Sequence, residues 1–170
     1  MEGNDIYDSD RKSTGRVHLR GTPWGEGEYG LVVCVWIYDG RGRILLTRRA
    51  PQKSYAGTWE NSGGAAKAGE DSLTAIQREL FEETGIRAEK SQFRFLRTTR
   101  DKNAFFDHYC LFWQGEVEDI VLLPGETDGV QWCSFEQIHR MIEQKEICTI
   151  IANQFLMEEA TLRCLSEKDD

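Results

Sequence analysis

An α/β or α+β fold, with helices covering both faces of a mixed β-sheet, is predicted by three features of this 170-residue sequence. Apolar, β-rich runs of strand length recur on either side of a helical stretch bounded by glycines. Two further helical patterns close the chain. The length is enough for a single core and short for two.

In chain order, residues 1–16 are polar and charged, with little to bury. They read as a frayed N-terminal tail ahead of one domain over residues 17–170. Tyr29 to Tyr38 (YGLVVCVWIY) reads as a largely buried strand. Asp39-Gly40-Arg41-Gly42 supplies a turn, and Arg43 to Thr47 returns as the hairpin partner. Trp59 to Ser62 is a short strand entering a glycine loop. Beyond the central helix, Gln92 to Thr99 and Ala104 to Gly115 read as two more strands, and Val130 to Cys133 as another after the Pro124-Gly125 loop. Ser134 caps a helix that runs to about Ile142, and Cys148 to about Leu165 forms the last one.

The central helix carries the chemistry. Asp71 or Ser72 can cap its start, and Gly85 sits where a left-handed stop is wanted. At about 100° per residue, Leu73, Ile76 and Leu80 share a stripe that packs into the core. Glu79, Glu82 and Glu83 fall on an adjacent stripe, where like charges repel by a few tenths of a kcal/mol per pair. A hard divalent cation removes that repulsion, and carboxylate oxygens are what Mg²⁺ or Mn²⁺ prefers. Arg78 precedes the cluster, and Gly63, Gly64 and Gly69 precede the helix. Two neighbouring glutamates alone are ordinarily a solvated helix face; the complete spaced pattern between glycines is not. Glu70, near the helix start, reads as a cap or dipole partner.

From Gly64 to Ile86 the chain reads GAAKAGEDSLTAIQRELFEETGI. At every defined position this resembles the signature of the Nudix family, G-x5-E-x7-R-E-U-x-E-E-x-G-U with U apolar, and the similarity extends over roughly residues 29–135. The resemblance implies an α/β/α sandwich and Mg²⁺-dependent hydrolysis of a diphosphate linkage. It implies that Glu79, Glu82, Glu83 and the Gly64 carbonyl hold one to three ions, and that Arg78 orients Glu70 and a metal-binding glutamate. Glu70 is then structural support. Glu126, in a loop that resembles the family's source of a further glutamate, is a candidate base beside the box residues Glu82 and Glu83; Glu116 and Glu118 are fallbacks. The segment ILLTRRA resembles the strand of MutT-type pyrophosphohydrolases from which an arginine, here Arg48 or Arg49, approaches the phosphates. Asn153 resembles a base-reading asparagine of those enzymes, at a different spacing from Trp132. Trp24, Tyr29 and Phe105 are candidates for stacking on a base, with core or loop packing the plainer reading of each. The expected substrate is a small diphosphate compound, with (deoxy)nucleoside triphosphates first and nucleotide sugars, dinucleotides and prenyl diphosphates after. Homodimers are common in the family.

Two rival readings come from the same residues. The run RRAPQKSYAGTWENS, Arg48 to Ser62, resembles isopentenyl-diphosphate isomerases. Those enzymes need a cysteine soon after the Asn-Ser pair, where this chain has Gly63-Gly64, and a metal-binding histidine where it has Gly30. Without the thiol the carbon acid has no proton donor. A non-catalytic nucleotide sensor on the same scaffold would be expected to lose box carboxylates, and all are present here.

Composition agrees with one enzyme in a reducing compartment. The net charge of −8 argues against nucleic-acid polymers and anionic membranes as partners. No apolar stretch reaches the roughly 18–20 residues of a membrane helix, and no signal-peptide pattern opens the chain. Five cysteines, odd in number and with no C-x-x-C pair, fit reduced thiols in a cytoplasm.

Overall fold

The computed structural model describes residues 3–166. The order is β1 (Gly3–Tyr7), β2 (Ser13–Leu19), β3 (Gly30–Tyr38), β4 (Arg43–Arg49), β5 (Trp59–Glu60), β6 (Ser62–Ala65), α1 (Ser72–Thr84), β7 (Arg94–Asp101), β8 (Ala104–Phe112), β9 (Thr127–Ser134), α2 (Phe135–Glu143) and α3 (Thr149–Ser166). Five strands run β5-β4-β3-β8-β7 across the main sheet, with β6 added to β3 and β9 to β4. The β3–β8 pair is parallel and the rest are antiparallel, so the sheet is mixed.

Alternation along β3 builds the layers. Leu31, Val33, Val35 and Ile37 point into one core with Ile76 and Leu80 of α1. Trp36 and Tyr38 point into the other, with Ile138 of α2 and Phe155 and Leu162 of α3. A period of two along the strand thus buries both faces, each under helices.

The N-terminal segment differs from the expectation of a frayed tail. Residues 3–16 enter an antiparallel hairpin, β1 with β2, instead. Its burial is sparse, chiefly Ile6 and His18, which is why composition missed it. Long-range polar contacts anchor it. Asn4 donates to the Ala66 carbonyl at 2.6 Å, and the backbone N–H of Gly69 donates to Asp5 at 2.9 Å. Arg11, at the hairpin turn, forms a two-point pair with buried Asp107 of β8. Met1 and Glu2 of the expected tail lie outside the described residues.

The glycine loop is likewise a strand. Gly63 pairs with Cys34 and Gly64 with Val33 in the β6–β3 ladder. A Cβ on Gly63 would sit 2.2 Å from the Val33 carbonyl oxygen, so glycine permits a strand approach that no other residue could make.

Candidate active site

Helix α1 is placed by its two ends and its apolar stripe. The Asp71 carboxylate accepts the Thr74 N–H at 2.6 Å, while Gly85, at φ 72°, turns the chain left-handed and donates to the Phe81 carbonyl at 2.9 Å. Ser72, the other candidate cap, is instead the first helical residue and donates to Asp107. Ile76 and Leu80 are fully buried, and Leu73 packs at the edge of the same core. That orientation sets the acidic stripe against β6. A Cβ on Gly64 would lie 2.5 Å from the Glu79 carboxyl group, so the missing side chain is what lets this carboxylate reach the strand. Gly63 donates its backbone N–H to Glu83 at 3.1 Å.

The three carboxylates are not equivalent. Glu83 is only 8% exposed, whereas the Glu82 side chain is 41% exposed. Burial holds the Glu83 carboxyl well above its ordinary range, and the charges of Glu60 and Glu79 add to the effect. Burial likewise raises Glu79 against the opposing pull of Arg78. Arg78 is the organising cation. It meets Glu70 with two bonds, at 2.7 and 2.8 Å, and reaches Glu79 at 2.8 Å and Glu82 at 3.0 Å. The bond to Glu70 is the main reason the Arg78 guanidinium holds its proton more tightly than usual, and the same bond lowers Glu70.

This donor set suits a hard divalent cation. Beyond the larger effect of burial, Glu60 and Glu79 raise Glu83 and Glu82 raises Glu79, so negative charges crowd here, and all the donors are oxygens. Among the described residues, no group of three or more acidic, histidine or cysteine side chains is arranged as it stands to hold a metal ion. Mg²⁺ does not require such a group, because it keeps several waters and is held by one or two carboxylates together with substrate phosphate.

A cleft of about 810 Å³ opens above these groups, lined by Gly63, Gly64, Glu79, Glu82 and Glu83. Arg78 and Glu126 line it too. Glu126 pairs there with Lys53. The two candidate arginines separate. Arg49 lines the cleft and donates to both oxygens of Glu60, at 2.8 and 2.7 Å. Arg48 lies outside it, paired with Asp128 at 2.7 Å and stacked over Trp59. Asn153 sits on an exposed face of α3 and does not line the cleft. Tyr29 and Phe105 pack on each other, 5.2 Å between ring centres, with Phe105 in the core; Trp24 lines the cleft. Sequence reasoning passed over Glu60. Burial raises its carboxyl, against Arg49, and its charge acts on Glu83. The available signal was an acidic residue in a very short strand just ahead of two glycines.

The fold is an α/β/α sandwich, with an acidic row and a glycine strand at the floor of its cleft. The NUDIX domain profile matches residues 28–150, and the chain belongs to the Nudix family of hydrolases, which act on small diphosphate-containing substrates. An uncharacterised Nudix hydrolase of Listeria monocytogenes is 28% identical over 143 residues, 83% of this chain and 85% of that one. The CTP pyrophosphohydrolase of Escherichia coli is 40% identical over 101 residues, 59% of this chain and 73% of that one. An isopentenyl-diphosphate Delta-isomerase of Serratia proteamaculans is 47% identical over 112 residues, 61% of each chain. A crystal structure from Deinococcus radiodurans shares the fold at TM-score 0.75 and 20% identity, covering 90% of this chain and 96% of that one.

The isomerase cysteine and histidine would fall on Gly63-Gly64 and on Gly30. A Cβ on Gly63 would meet the β3 backbone, whereas one on Gly64 or Gly30 would meet only a side chain, the Glu79 carboxyl group or the far edge of the Trp24 ring. The backbone therefore refuses a cysteine at position 63 alone, and the other two glycines make room for Glu79 and Trp24.

Proposed function

We propose that the protein is a Mg²⁺-dependent pyrophosphohydrolase of nucleoside triphosphates or related nucleotides, with Mn²⁺ as the alternative ion. The observation that carries this reading is the row Glu79, Glu82 and Glu83 set against a glycine strand at the floor of a cleft whose rim bears cations. Glu79, Glu82 and Glu83, with the Gly64 carbonyl, would hold the ion. When bound, it offsets phosphate charge and lowers the pKa of attacking water.

The chain's own residues divide the remaining work. Arg78, held by Glu70, fixes the rotamers of Glu79 and Glu82 from behind. Arg49, held by Glu60, and Lys53 supply positive charge where the phosphates enter. Glu126, half-exposed on a loop and paired at its tip with Lys53, is the group we assign to accept the proton from water. Attack of water in line on the α-phosphorus of a nucleoside triphosphate breaks the α–β anhydride and releases a nucleoside monophosphate and pyrophosphate. The partial likeness to a CTP pyrophosphohydrolase supports a nucleotide as substrate.

Our reading assigns the protein to the cytoplasm, and five free cysteines, three of them buried, support it. Burial raises the thiols of Cys110 and Cys133 to about 11, which leaves them unreactive at neutral pH. Among the described residues no helix is long and apolar enough to cross a membrane. A homodimer is the assembly to be read by light scattering.

The test is a panel of nucleoside triphosphates, nucleotide sugars, dinucleotides and prenyl diphosphates, each with Mg²⁺ and with chelator, and phosphate measured after a coupled phosphatase. Metal-dependent release from nucleotides is expected. Formation of a prenyl isomer, or binding with no turnover of any compound, would refute the proposal.

A further inference from the structure

The N-terminal hairpin forms one wall of the cleft, and the hydrolytic reading gives it no task. Asn4, His18, Arg20, Thr22 and Trp24 all line the cavity that ends at the box carboxylates. The His18 and Trp24 rings lie parallel, 3.7 Å between centres and 9° between planes. Gly30 admits the Trp24 ring, since a Cβ there would meet it at 2.8 Å. His18 is buried behind the stack, while Trp24 remains partly exposed to the cleft.

Spacing along β3 relates this wall to the chemistry. Trp24 rests on Gly30, and Gly63, whose N–H holds Glu83, pairs with Cys34 on the same face of β3. Four residues of strand separate the two, about 13 Å at the usual rise per residue. A nucleotide whose phosphates lie beside Gly63 carries its base within that reach. The cleft lining combines the polar Asn4, Arg20 and Thr22 with the apolar Leu31, Val32 and Phe106, and the polar groups give a ribose hydroxyl partners that a prenyl chain could not use.

The hairpin is also tied to the loop between β6 and α1. Ala68 donates its N–H to the Gly3 carbonyl at 2.8 Å, and Asn4 donates to Ala66 at 2.6 Å. The stack and the carboxylates are therefore held in one frame. We infer that the β1–β2 hairpin and the loop after it are the specificity wall of the enzyme, with the His18–Trp24 stack receiving the nucleobase. A flat base extends a stack whose two members are already ordered, so little side-chain freedom is lost on binding.

This rests on the nucleotide reading above, and its test separates the two. Titration calorimetry compares α,β-methylene nucleoside triphosphates, which resist hydrolysis at that bridge, with methylenediphosphonate, which has no base. The wild type is expected to prefer the nucleotide analogues by at least about tenfold, the scale of one base–aromatic stack. Trp24→Ala brings that preference close to unity, and Trp24→Phe restores most of it. Thermal melting of each variant reads folding independently. Preference retained in folded Trp24→Ala, with nucleotides still preferred by the wild type, overturns the wall alone. A wild type that shows no preference for nucleotides overturns both readings.

Discussion

Glu83 combines the lowest exposure of the three box carboxylates with the strongest reason to be protonated. Its folded-state pKa is raised above the unfolded value of about 4.3, so the native state binds the proton more tightly. Stability therefore falls as pH rises from the unfolded value through the folded one. Glu83→Gln should melt higher than the wild type in chelator, with the gap present at neutral pH and shrinking towards pH 4. The same substitution should lower kcat by roughly a hundredfold or more in saturating Mg²⁺. A variant with wild-type turnover would remove the proposed metal site, and one that melts lower would contradict the burial of an uncompensated charge. For Glu126→Gln, steady-state kinetics should show kcat lower by about 10²–10⁴-fold. A change in KM alone would make Glu126 a binding group. At this scale the box was legible because helix period fixes which side chains are neighbours. The inequality among Glu79, Glu82 and Glu83 was not, because exposure depends on how β6 covers them. Glu60 was hidden for the same reason: its pairing with Arg49 and its effect on Glu83 arise from strands brought together across the sheet.

Helix α1 joins packing to chemistry, since one face anchors what the next presents. Leu80→Ala would leave a cavity against β3 and should cost about 2–5 kcal/mol in urea unfolding. Its effect on kcat should follow only if the helix shifts. An unchanged unfolding midpoint would contradict the orientation in which Ile76 and Leu80 face the core. Most helix and strand positions were readable here to within a few residues, because apolar period and caps are local properties. Asp71 and Gly85 cap α1 through atoms only a few residues away. The glycine run was harder. Gly63-Gly64 reads as a loop by composition, and its pairing with Cys34 and Val33 is decided by a strand some thirty residues distant.

Across the whole molecule, one buried carboxylate ties three parts together. Asp107 of β8 receives Arg11 from the hairpin turn, Ser72 from the start of α1, and Thr98 from β7. Burial pushes its carboxyl up, and these donors together outweigh that and hold it below its ordinary range. The stability it contributes is present above the unfolded pKa of about 3.9 and is lost as pH falls through the lower folded value. Asp107→Asn should therefore be less stable than the wild type in urea at neutral pH, with the difference narrowing near pH 2. A gap independent of pH would show that the charge on Asp107 is not what holds the hairpin.

The order of residues alone determined the family, the mixed sheet between helices, and the spacing of an acidic row on one helix. Each is set by period, turn residues or a contiguous motif, all of which survive in one dimension. Only the three-dimensional fold decided that residues 3–19 build a wall of the cleft, that Arg49 enters the site while Arg48 leaves it, and that Asn153 lies away from it. Those outcomes depend on strand register and on polar contacts between distant segments. A one-residue step along a strand reverses the face on which a side chain emerges, and nothing local to Arg48 and Arg49 says which face the cleft will occupy.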